Sequence, residues 1–91
     1  MAYYILEYTF GDDYLERRTP HREEHLKLIR EAHASGGLVL AGALAEPADR
    51  GLLVWNTEDR STVERFAEQD PYVLNGLVRE WTVRPWTVVT P

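Results

Sequence analysis

The chain has 91 residues, 44% hydrophobic and 27% charged, with a net charge of −5 and no cysteine. That balance is ordinary for one soluble domain; the negative charge removes any global attraction to nucleic acid or an anionic membrane, and the missing thiols exclude disulfides, cysteine nucleophiles and thiolate metal sites. No apolar run approaches the ~20 residues of a membrane helix, and MAYYILEYTF lacks the basic segment of a secretory leader, so a cytoplasmic protein is expected.

The elements alternate in type. YYILEYTF (3–10) is short, aromatic and β-branched, which predicts a strand ended by the GDD turn. Thr19 and Pro20 read as N-cap and first residue of a helix whose inward stripe is Leu26, Ile29 and Ala32, extended by Arg22 or His25 and stopped at SGG (35–37). LVLAGAL (38–44) reads as a buried strand, EPADRG (46–51) as a hairpin turn, and LLVWNT (52–57) as the next strand. Ser61 then caps a second helix from Thr62 to about residue 68, with Val63, Phe66 and Ala67 inward. DPYVLNG (70–76) is a capped turn or short helical extension, LVREWTVRPW (77–86) the last strand, and TVVT an extended continuation.

This order, βαββαβ, predicts an α+β, ferredoxin-like single domain: a four-stranded antiparallel sheet with two helices on one face. Tyr4, Leu6, Tyr8 and Phe10 share one side of the first strand, yet Tyr3 and Ile5 lie on the other, and later strands are apolar at both parities. Two helices cover one face only, so a second copy is expected on the open face, a homodimer with stacked sheets.

HREEH (21–25) matches the H-x-x-E-H pattern of one class of zinc protease. Zinc there needs a third protein ligand; the second helix offers Glu64 and Glu68, and Arg17, Arg18 and Arg22 crowd the site with like charge, so no metal is expected. Those arginines, at a helix start, would instead suit an anion, although Arg22 could equally pair with a surface carboxylate. His25 lies at the edge of the buried stripe. Asp70 in QDPY is an N-cap by position, but in this fold the second helix ends near the first, where an aspartate could orient an imidazole as a general base.

Four motifs in sequence carry a resemblance: Arg22-Glu23-Glu24-His25-Leu26; Gly37 to Leu44 with Ala41-Gly42; Phe66 through Asp70-Pro71-Tyr72 to Gly76-Leu77; and Arg84-Pro85-Trp86. The chain resembles the YCII-related family over nearly its whole length, departing at Ala43, where members often carry proline. The resemblance implies dimers of the dimeric α/β-barrel type with His25 and Asp70 as the active-site pair. The clearest activity in that group is cofactor-free elimination of halide from a hydroxylated chloroaromatic. Two functions are expected on these grounds. One is a cofactor-independent enzyme moving a proton on a small aromatic or carbonyl-bearing substrate, with Arg22, Tyr72, Trp55 and Tyr4 around the substrate. The other is a non-catalytic dimeric module that binds a small molecule or a partner protein.

Overall fold

A computed structural model of the chain describes residues 2–90. Its elements are β1 (Tyr3–Phe10), α1 (Tyr14–Arg17), α2 (Thr19–Ala34), β2 (Leu38–Ala43), β3 (Arg50–Asn56), α3 (Arg60–Gln69), α4 (Pro71–Leu74) and β4 (Val78–Trp86). The strands form one sheet in the order β2-β3-β1-β4, with every neighbouring pair antiparallel. This is the ferredoxin-like α+β arrangement. No described helix is long and apolar enough to cross a membrane.

Register explains the core. Along β1 the even residues face the helices, and Leu6, Tyr8 and Phe10 are buried. Leu6 lies opposite Leu53 on one side and Val83 on the other, and Tyr4 opposite Trp55, so large side chains stack in rows beneath the helices. Helix α3 closes one half of that face with Val63, Phe66 and Ala67, all buried. Helix α2 closes the other half differently: none of its residues is fully buried. Leu26 and Ile29 line a cavity between α2 and the sheet, with Ile29 also packed against the edge of the buried core.

Several local expectations need correction. Thr19 is not an N-cap; α1 leads directly into α2 through Arg18, whose backbone is already helical, and α2 begins with no side-chain cap. Asp59, not Ser61, caps α3: its carboxylate accepts from the Ser61 N–H at 2.9 Å and from the Ser61 hydroxyl at 2.6 Å. Strand β2 is an edge, not a buried strand; only Leu38 is buried, while Leu40 is 69% exposed. An edge strand has a sheet neighbour on one side only, and the cavity lies beneath its remaining inward residues, Ala41 and Ala43. β3 begins at Arg50, inside the expected turn, and β4 stops at Trp86, so residues 87–90 do not extend the sheet.

Candidate functional site

The junction between α3 and α4 makes the centre of the site. Gln69 ends α3, and Asp70 leaves helical geometry at φ −67° and ψ 124° before Pro71 restarts a helix. Proline suits that first helical position because it has no N–H to satisfy. Asp70 caps the new turn, its Oδ1 accepting from the Tyr72 N–H at 2.9 Å. The same carboxylate has capacity left over. Oδ2 accepts from the Tyr8 hydroxyl at 2.7 Å, and both oxygens lie within 3.0 Å of His25 Nδ1. Asp70 is 0% exposed, whereas the His25 side chain is 14% exposed.

A buried carboxylate persists only when its oxygens are hydrogen-bonded. Here a phenol, a backbone amide and an imidazole share that role. Burial first, and then the charge of Asp70 and the hydrogen bond to it, hold the Tyr8 hydroxyl far above the ordinary tyrosine range, so Tyr8 stays a neutral donor. His25 therefore meets an acceptor at Nδ1. With the proton on that nitrogen, Nε2 carries a lone pair and has no protein partner among the described residues. Tyr72 stacks on the imidazole at 3.8 Å between ring centroids and 8° between planes, which fixes the ring's rotation.

His25 opens onto a cavity of about 200 Å³ between α2 and the sheet. Its apolar walls include Phe10, Tyr14, Leu26, Ile29 and Leu53. Gly51 permits this floor: a Cβ there would stand 2.9 Å from Phe10 Cζ. Arg18 and Arg22 line the same cavity, with Arg18 5.6 Å above the Tyr14 ring.

Of the residues singled out in the sequence, His25, Asp70, Arg22 and Tyr72 come together. Trp55 and Tyr4 do not. Trp55 is buried in the other half of the core against Phe66, and Tyr4, opposite Trp55 in β1, does not line this cavity. The strand-one tyrosine that reaches the site is Tyr8, two pleat repeats further along the same face. Choosing between Tyr4 and Tyr8 requires the sheet register, which places Tyr8 opposite Gly51. Tyr14 is a further lining residue that the sequence did not single out, whereas Arg18, one of the three arginines expected at an anion site, lines the cavity one helical turn before Arg22. Arg17 turns elsewhere, donating to the Asn75 carbonyl at 2.8 Å.

His21 and His25 gain no third ligand: among the described residues no group of three His, Cys, Asp or Glu side chains could hold a metal ion. His33 donates from Nδ1 to the Leu38 carbonyl at 2.9 Å, a structural tie from α2 to β2.

The family model of the YCII-related domain matches residues 1–87. Among solved structures, the chain is similar to 5-chloro-2-hydroxyhydroquinone dehydrochlorinase (TftG) from Burkholderia phenoliruptrix AC1100, determined in complex with 2,5-dihydroxybenzoquinone. The TM-score is 0.78 at 18% identity, over 93% of each chain. An antibiotic biosynthesis monooxygenase aligns at TM-score 0.65 and 12% identity, over 99% of this chain and 100% of the other. A NIPSNAP family protein from Agrobacterium tumefaciens aligns at 0.60 and 15%, over 94% and 90%. At these identities the likeness is one of fold. No curated protein matches the sequence.

Proposed function

This chain belongs to the YCII-related family, and from that premise we propose that it is a small cofactor-independent enzyme in which His25, oriented by Asp70, moves a proton on a small aromatic or carbonyl-bearing substrate. One observation carries the reading: a fully buried carboxylate holds Nδ1 of a histidine that lines a ring-sized cavity.

The chemistry follows from that geometry. Nδ1–H donates to Asp70, so Nε2 accepts a proton from a ring hydroxyl or from a carbon next to a carbonyl. The imidazolium formed is stabilised by the adjacent carboxylate. The electron pair left on the substrate becomes an enolate or phenolate oxyanion, with Arg22 as the nearby cation. Return of the proton to a different atom completes an isomerisation. Departure of a halide with its bonding pair completes an elimination, and the proton then passes to solvent. The dehydrochlorinase neighbour, by its name, acts on a chlorinated hydroxyhydroquinone, a reaction of this class, and it supports the reading by likeness of fold.

The test is hydrogen–deuterium exchange at the ring carbons of 2,5-dihydroxybenzoquinone and of 1,2,4-trihydroxybenzene in D₂O, followed by NMR. The wild-type protein is expected to accelerate exchange, and His25→Gln to lose roughly 10²–10⁴-fold of that acceleration. Exchange at the buffer rate with wild-type protein, or undiminished in the variant, would leave the non-catalytic binding module as the better account.

We propose further that a second copy of the chain covers the open sheet face. Tyr3, Ile5, Leu52 and Val54 lie there half-buried, flanked by Leu40 and by Trp86, which is 48% exposed. Sedimentation at micromolar concentration is expected to give a dimer; a stable monomer would refute this packing.

A further inference from the structure

The cavity holds more positive charge than the His25–Asp70 pair explains. Arg18 and Arg22 both line it, and among the described residues neither guanidinium is paired with a carboxylate. Fifteen acidic residues give this chain a net charge of −5, yet none of them pairs with either arginine. The two stand four residues apart, so they occupy one face of the helical run, and His25 follows one turn after Arg22. Arg18 is further restrained by the Tyr14 ring beneath it.

A third group points to the same place. Tyr72 is 1% exposed, it lines the cavity, and its hydroxyl is buried without a hydrogen-bond partner. Burial raises its pKa, with Arg22 and Arg18 acting in the opposite direction, so the hydroxyl is a neutral donor flanked by two cations. Buried donors are nearly always satisfied, and this one lacks an acceptor. The three donors are complementary to one anionic group carrying several lone pairs. Volume bounds the remainder of the ligand: a cavity of roughly 150 Å³ accommodates benzene, and this one measures about 200 Å³. One substituted ring fits.

We infer that the site takes a monocyclic carboxylate, an aromatic or enolisable ring acid, whose carboxylate is bound by Arg18, Arg22 and the Tyr72 hydroxyl while its ring lies on the Phe10–Tyr14 wall. The placement of an acidic C–H or O–H at His25 rests on the proton-transfer reading above; the carboxylate subsite does not.

The experiment compares 2,5-dihydroxybenzoate with its neutral counterpart hydroquinone, by NMR shift perturbation and titration of the wild-type protein and of Arg18→Gln/Arg22→Gln. The wild type is expected to bind the carboxylate about tenfold or more tightly than hydroquinone, with raised salt narrowing the ratio. In the double variant the ratio is expected to fall to near one, and in Tyr72→Phe to fall part of the way. A ratio near one in the wild type, binding of neither compound at millimolar concentration, or a preference that survives in the double variant would overturn the inference. His25→Gln separates the two proposals: the carboxylate preference survives that change even if proton exchange proves absent from the wild type. Backbone amide spectra of each variant confirm that the fold is retained.

Discussion

Removing the Asp70 carboxylate tests how tightly the site and the fold are joined. In Asp70→Ala three donors lose their acceptor: the Tyr8 hydroxyl, the Tyr72 N–H and His25 Nδ1. Tyr8 is 1% exposed, so its hydroxyl is left buried, whereas the more open His25 side chain can turn to solvent. Each buried orphan costs roughly 1–3 kcal/mol; two of them, including the lost helix cap, predict a destabilisation of about 3–4 kcal/mol. A chain of this length has roughly 5–14 kcal/mol in total, so the variant retains a weakened fold. Tyr8→Phe in the wild-type background removes a hydrogen bond to a carboxylate and is expected to cost about 2 kcal/mol. In the Asp70→Ala background the same change removes an orphaned hydroxyl and is expected to stabilise by about 1 kcal/mol. The sign reverses. Urea unfolding followed by tryptophan fluorescence measures all four corners of the cycle. If Asp70→Ala proves too unstable to purify, Asp70→Asn serves in its place, with Tyr8→Phe costing less there than in the wild type. Equal costs for Tyr8→Phe in both backgrounds would show that the 2.7 Å bond carries no energy and would sink the buried-network account.

Three further outcomes follow from the same geometry. Because the Tyr8 pKa is raised in the folded state by burial and by Asp70, its contribution to stability is present below the unfolded value near 10 and lost as pH rises toward the folded value; urea midpoints are expected to drop above pH 10, less steeply in Tyr8→Phe. Gly51→Ala sets a Cβ 2.9 Å from Phe10 Cζ, and is expected to cost roughly 1–3 kcal/mol by overpacking while displacing the cavity floor; calorimetry showing no loss of Tm would mean the ring moves freely. Asp59→Ala is expected to destabilise α3 more than Ser61→Ala, since Asp59 supplies the acceptor that caps the helix, and thermal melts with the opposite ranking would restore serine as the cap.

What the sequence revealed was local, and what it hid depended on neighbours in space. Asp70-Pro71 declares a capped helix start by chemistry within three residues, and the alternation of β1 names the face that Leu6, Tyr8 and Phe10 share. By contrast, LVLAGAL has the same composition in a central strand or an edge strand, and only the sheet order distinguishes them. Helix α1 has four residues, too few to be stable alone; Tyr14 anchors it by stacking on Phe10 at 3.7 Å. The site shows the same division. His25 and Asp70 lie 45 positions apart, and motif resemblance named them together, whereas Tyr8 became distinguishable from Tyr4 only through the register against Gly51.

Four rings along the cavity wall come from four different elements. Phe10 of β1 stacks on Tyr14 of α1, Tyr14 meets Tyr72 of α4 edge-to-face at 5.7 Å, and Tyr72 stacks on His25 of α2. No ring in this series can rotate about its axis unless a neighbour withdraws, so flips of Tyr72 are coupled to breathing of the whole wall. Its two sides are expected to give separate, slowly exchanging resonances. A ligand seated on Phe10 then alters the surroundings of an imidazole three rings away, and the tyrosine bands of the near-ultraviolet dichroism spectrum become an intrinsic gauge of occupancy that requires no label.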